Sequence, residues 1–167
     1  PTDAQLTLID AATTGTIIYS EGGGGGDDHI TGTTAQVIET LESKSSDYTG
    51  NITITDAPNV TQLKTINAAT TGDITLGVTN GALSGTAADL VLAFAGNVTT
   101  HTGAVTITNA DYTVAQLKAI NNATTGAITL STTNTALTGT AADLVLAFAG
   151  TVTEHTGNVT ITNADYT

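Results

Sequence analysis

Cysteine, methionine, tryptophan and arginine are all missing from this sequence of 167 residues. Without cysteine there is no disulfide scaffold and no thiol nucleophile. Without arginine, only Lys44, Lys64 and Lys118 stand against fifteen Asp and Glu, and the formal net charge is −12. Nucleic-acid binding needs clustered cations to displace counterions from phosphates, and so does attraction to an anionic membrane surface. Neither partner suits this chain. No apolar run approaches the ~20 residues of a membrane-spanning helix, so membrane insertion is not expected. No signal peptide is visible, and a chain that opens on Pro1 with no methionine reads as processed or cut from a longer protein.

What is present is repetition. Hydrophobic residues make up 40% and charged residues 11%, which separates the chain from disordered acidic tails and allows a core. Leu63 to Gly72 returns at Leu117 to Gly126, 54 positions on. Gly85 to Gly96 returns unchanged at Gly139 to Gly150, and Thr106 to Thr113 at Thr160 to Thr167, both with the same spacing. A diverged copy opens the chain, where Gln5 to Gly15 matches Gln62 to Gly72. Residues 1–167 therefore read as one repeat domain, a fragment of a longer chain. It divides into a diverged repeat at 1–58 with a glycine-rich insert at 22–26, and repeats at 59–112 and 113–167.

Each period splits into two halves, and each half opens on a helix-start signature. A Thr or Asn is followed three residues later by Gln or Asp, so the side chain of one can bond the backbone N–H of the other. The pairs are Thr2/Gln5, Thr33/Gln36, Asn59/Gln62, Thr86/Asp89, Thr113/Gln116 and Thr140/Asp143, and the last five recur at an almost constant interval. Behind Thr113, the residues Val114, Leu117, Ile120 and Ala123 form one apolar stripe, with Gly126 as the expected stop. Behind Thr140, the run Leu144 to Ala149 is apolar all round.

Alternating segments follow the helices at Ile17–Tyr19, Ile52–Thr55, Ile74–Leu76, Val105–Thr108, Ile128–Ser131 and Val159–Thr162, as strands with one buried face require. Helix and strand in one order and one hand give parallel strands with helical crossovers. The expected fold class is α/β, a repeat solenoid of about six helix–strand units with a 27-residue unit and a parallel sheet. The alternative is a parallel β-helix without true helices, against which the caps argue. No polar capping unit follows Thr160–Thr167, so either more repeats follow or the open end stacks on another chain.

Three features could carry chemistry. From Gly23, the insert fits a calcium-binding nonapeptide: Gly23, Gly24 and Gly26 let carbonyls turn toward a hard cation, Asp28 supplies charge and Ile30 the apolar plug. One copy offers half of such a site, and the competing reading is a flexible glycine loop. Thr53, Thr75, Thr106, Thr129 and Thr160 alternate with the apolar strand residues and would form an exposed hydroxyl array, the feature by which the chain resembles ice-binding solenoids. His101 and His155 hold equivalent places, where Tyr48 stands earlier. Equivalent residues two strands apart are separated by ~9.5 Å and cannot share a metal, so they read as loop-ordering groups. No Ser sits in a His–Asp context and no phosphate loop ends in Lys. Repetition makes a surface rather than a pocket, and catalysis is not expected.

The run Thr113 to Gly126, followed by Gly139-Thr-Ala-Ala-Asp-Leu144, resembles Thr- and Ala-rich tandem repeats in very large bacterial, notably cyanobacterial, surface and secreted proteins. The glycine insert resembles the repeats-in-toxin calcium motif that accompanies them. The resemblance covers nearly the whole chain. It implies an extracellular structural module of an adhesin, sheath or filament, associating with neighbouring repeats or with itself. No cofactor is implied beyond calcium, and the alternative is a calcium-, glycan- or ice-binding module.

Overall fold

Helices begin where a polar side chain can satisfy the first free N–H groups, and the repeated caps set the framework of the fold. The computed structural model describes residues 8, 9, 11–13, 29–43 and 48–162. In chain order these form β1 (His29–Gly32), α1 (Thr34–Glu42), β2 (Asn51–Ile54), α2 (Val60–Ala69), β3 (Ile74–Leu76), β4 (Leu83–Gly85), α3 (Ala87–Ala93), β5 (Val105–Ile107), α4 (Val114–Ala123), β6 (Ile128–Leu130), β7 (Leu137–Gly139), α5 (Ala141–Ala147) and β8 (Val159–Ile161). Among the described residues the protein is α/β, with five helices and three small parallel sheets, none closed into a barrel.

Thr33, Asn59 and Thr113 cap α1, α2 and α4 through reciprocal boxes with Gln36, Gln62 and Gln116. At α2, Gln62 N donates to Asn59 Oδ1 at 2.9 Å, while Asn59 N donates to Gln62 Oε1 at 3.0 Å. In α3 and α5 the acidic partner changes the second bond: the hydroxyls of Thr86 and Thr140 donate to Asp89 and Asp143, each at 2.9 Å. The Thr2/Gln5 pair and the Ile17–Tyr19 segment lie outside the described residues. Gly126 does not stop a helix. Helix α4 gives way to extended Thr124, and Gly126 instead lies against the backbone of Gly103. Left-handed glycines follow α3 and α5, at Gly96 (φ 69°) and Gly150 (φ 70°).

The strand orders are β1-β2-β3, β4-β5-β6 and β7-β8. Ile52 pairs with Ile30 and Ile74, and Val105 with Leu83 and Ile128. These steps along the chain are shorter than the steps between successive helix caps, such as Asn59 to Thr86 or Thr86 to Thr113. Residues 77–82, which lead from β3 to β4, take up the difference between Asn59 and Thr86, and 131–136 do so in the next repeat; between Thr86 and Thr113 it lies in the longer lead from β5 to its cap. Single bridges add one residue beside the last strand of the first two sheets, Val98 to β3 through Ile74 and Val152 to β6 through Ile128.

Each β–α–β crossover packs helix residues onto the inner strand face. Ile52, Ile54, Ile74, Val105, Ile107 and Ile128 meet Leu63, Ile66, Leu90, Leu117 and Ile120, all at most 1% exposed. Each such side chain contributes about 1.5–3 kcal/mol through burial. Within each repeat the two helices are tied to each other. Lys64 pairs with Asp89 at 2.6 Å and Asn67 Nδ2 donates to the Leu92 carbonyl at 2.7 Å. The same bonds recur in the next repeat, between Lys118 and Asp143 at 2.6 Å and from Asn121 to Leu146 at 2.8 Å. Both ion pairs are open to solvent, which screens them, so they align the helices more than they stabilise them.

Candidate functional site

The outward strand positions carry hydroxyls because the β-pleat sends alternate side chains to opposite faces. In register, Thr31, Thr53 and Thr75 lie side by side on the first sheet. Ser84, Thr106 and Thr129 do so on the second, and Thr138 with Thr160 on the third. Adjacent members are ~4.8 Å apart by strand spacing. The five threonines singled out from the alternation therefore fall into three groups rather than one lattice. Thr53 stands with Thr75, Thr106 with Thr129, and Thr160 on a sheet of its own beside Thr138. Alternation alone does not reveal Thr31, Ser84 and Thr138, since their strands are too short to show a period.

A further threonine ends each of the first two ladders. Thr99, beyond β3, accepts from Leu76 N at 3.3 Å and donates to the Ile74 carbonyl at 3.2 Å. Thr153 does the same for Leu130 and Ile128, at 3.2 Å each. These hydroxyls finish the edge of the sheet and are withdrawn from the outer face. His29 Nε2 lies 2.8 Å from Thr53 Oγ1. At the strand entrances, Asp73 N donates to Asn51 Oδ1 at 2.9 Å, and Asn97 Nδ2 donates to Asp73 Oδ1 at 2.8 Å. The outer face of the first sheet is thus a polar strip of hydroxyl, amide and carboxylate groups that already bond one another.

The Asx residues that follow the strands have a role that spacing does not disclose. Asp56 Oδ1 accepts from the N–H of Thr34 at 2.6 Å and from its hydroxyl at 2.5 Å. Asn109 Oδ1 accepts from Ala87 N at 2.8 Å. Each caps the first turn of the helix one unit earlier, adding a second cap to α1 and α3. The Thr34 bonds hold the Asp56 carboxyl below its ordinary pKa. Asn109 also donates to Asp111 at 2.5 Å and lowers that carboxyl in turn. Asp89 and Asp143 are lowered first by their lysine partners and then by their capping threonines.

His101 and His155 each reach back to a backbone carbonyl. His101 Nε2 donates to Gly81 O at 2.7 Å, and His155 Nε2 to Thr135 O at 2.8 Å. Both rings lean on a phenylalanine, Phe94 at 5.6 Å and Phe148 at 5.5 Å between centroids. His101 is 2% exposed, with Nδ1 3.2 Å from Thr124 Oγ1. It borders a residual cavity of about 10 Å³ otherwise lined by apolar residues, Gly81 among them. Burial lowers the His101 pKa below 6.5, opposed only by its bond to Gly81. The unfolded chain then binds a proton more readily than the folded one. Stability should be full above the unfolded value, fall as pH drops through it, and level off below the folded value. Thermal melting between about pH 7.5 and 5.5 should show this decline, with a shallower slope in His101→Gln. The lowered carboxylates act only at lower pH.

Two open grooves flank this region. One, about 500 Å³, runs between α4 and α5 beside Thr138 and Gly139, and Lys118 and Asp143 lie in it. The other, about 320 Å³, lies between residues 111–114 and 135–138. The charges of the first satisfy each other, and the phenol of Tyr112 in the second donates to the Thr132 carbonyl at 2.9 Å. Among the described residues no three His, Asp or Glu side chains come close enough to hold a metal ion. Gly23, Gly24, Gly26 and Asp28 lie outside the described residues; Ile30, their apolar companion, is buried in β1. Among the described residues no helix is long and apolar enough to cross a membrane. No family model, curated protein or solved structure matches the chain.

Proposed function

We propose that this chain is a structural repeat module: an α/β solenoid that extends by adding helix–strand units and serves a surface or secreted protein as a stiff adhesin, sheath or filament segment. The observation that carries the reading is where the polar side chains go. Asp56, Asn109, Lys64, Lys118, Asn67, Asn121, His101 and His155 each make a hydrogen bond to a neighbouring unit. A catalytic or ligand site needs such groups left converging on a common point. The acidic, cysteine-free composition and the resemblance of the repeats to bacterial surface proteins support an extracellular setting. Association with neighbouring repeats or with further copies follows from units that pair by strand edges.

The test is negative-stain electron microscopy of the chain at rising concentration, with calcium and with chelator. Particles of uniform width that lengthen with concentration are the expected result. Dispersed particles of one size at every concentration would remove self-association from the reading. Assemblies lost on chelation would bring the glycine insert and Asp28 into the function.

A second reading, a binder of ice or of a glycan surface, has one observation in its favour: the in-register hydroxyls of Thr31, Thr53 and Thr75. It predicts thermal hysteresis that disappears when Thr53 and Thr75 are both replaced by tyrosine. A purely structural module gives no hysteresis in either form.

A further inference from the structure

Helices α2 to α5 lie side by side with their outer face turned to solvent, and that face carries no net charge. The charged side chains on these helices are Lys64, Asp89, Lys118 and Asp143, which neutralise one another in two pairs. The whole chain carries −12, so its excess acids are gathered elsewhere, the exposed Glu39 and Glu42 of α1 among them. The outermost residues, one helical turn apart, are instead Ala88 and Leu92 on α3, Ala115 and Ala119 on α4, and Ala142 and Leu146 on α5, all exposed.

Exposed leucines scattered singly need no explanation, but these two recur at one place in the repeat. Leu92 is 54% exposed although α3 packs against α2 on one side and α4 on the other, so its exposure belongs to the outer face and not to an unfilled flank. Leu146 is 43% exposed at the equivalent position. The alternate helices present small residues outward. On α4 an open groove of about 500 Å³ runs past Ala115 and Ala119, and on α2 the same positions are Thr61 and Thr65. The face is thus corrugated, with leucine ridges on α3 and α5 and low ground on α2 and α4.

We infer that this helical face pairs with the same face of a second copy of the chain, side against side, about a twofold axis between α3 and α4. A shift of one helix sets α3 of each copy over α4 of the other, and α5 over α2. Every leucine ridge then enters low ground, Leu92 against Ala115 and Leu146 against Thr61. The charge distribution selects a like copy. Two chains of −12 repel wherever their acids meet, and this face removes that cost, while a charged partner finds nothing on it to attract it. Four helices about 8–10 Å apart and about 10–15 Å long span roughly 400–500 Å², the small end of specific interfaces. The contact is therefore weak, and being isologous it closes at two copies. It rests on the reading of the chain as a structural module and adds a lateral contact to it.

Sedimentation of the whole chain at rising concentration should show a reversible dimer that strengthens with salt, because salt screens the repulsion left between the two copies. The double variant Leu92→Lys/Leu146→Lys, its fold checked by circular dichroism, should lose about tenfold or more in association constant. Unchanged association would overturn the pairing and leave the module reading, with its stacking, in place. Association that weakens as salt rises would also overturn it, since that is the mark of attraction between unlike charges. The register is tested with single cysteines, which have no native thiol to compete with. Leu92→Cys and Ala115→Cys chains, mixed reduced and oxidised gently, should link to each other and scarcely to themselves. Leu92→Cys linking mainly to itself would set ridge on ridge and overturn the fit. Thr129→Cys, on the sheet face, linking as readily as the mixture would overturn it as well. A chain that sediments as a monomer at every concentration would overturn the pairing alone, because a spacer module needs no partner.

Discussion

Gly103→Ala should lower stability by about 3 kcal/mol or more, a larger loss than adding one methyl group to a packed core normally causes. The Cβ would stand 2.5 Å from the Gly81 carbonyl oxygen and 2.6 Å from both C and O of Asn80. These are backbone atoms of the neighbouring extended segment, held in place because Gly103 N and Thr102 N both donate to Thr79 O, at 3.1 and 2.8 Å. A side chain in the way could change rotamer, but here two hydrogen-bonded backbone segments would have to separate. Such separation would also draw His101 from the Gly81 carbonyl. Gly126 extends the column, since a Cβ there would fall on the carbonyl of Gly103 itself, so Gly126→Ala should behave alike. Gly96→Ala is the control. Its φ of 69° makes alanine unfavourable by about 1–2 kcal/mol, but the nearest atom is Asn67 Oδ1 at 3.6 Å. Urea unfolding followed by circular dichroism should place the Gly103 and Gly126 variants well below the Gly96 variant. Equal midpoints for all three would show that close backbone approach is not what these glycines provide.

The glycine column also shows where reading the sequence stops. Gly126 reads as a helix stop because it follows an apolar stripe, and local pattern cannot distinguish a stop from a point of contact with the preceding unit. The caps are legible because their partners lie three residues away: Thr33, Asn59, Thr86, Thr113 and Thr140 all head helices. Strands β2, β3, β5, β6 and β8 are legible from alternation. Strands β1, β4 and β7 are not. Leu83-Ser-Gly85 and Leu137-Thr-Gly139 have one inward residue each and end on glycine, so they read as approaches to a cap. Their strand character comes from pairing with β5 and β8. The outward threonines can be named, but their grouping depends on which strands pair, and that divides them among three sheets. The second caps at Asp56 and Asn109 act on helices of the preceding unit, and only the three-dimensional register brings those groups together.

Ile107→Ala and Ile161→Ala test the consequence of that register, because the two isoleucines occupy identical sequence surroundings. Ile107 is fully buried between β4 and β6, and its truncation should cost about 3–4 kcal/mol through lost transfer energy and a cavity that its backbone-paired neighbours cannot close. Ile161 has β7 on one side and is 41% exposed, so truncation there should cost about 1 kcal/mol, with no enclosed cavity formed. Urea unfolding at low protein concentration should therefore show a large shift for the first variant and a small one for the second. Equal shifts would mean that β8 is already covered within a single chain.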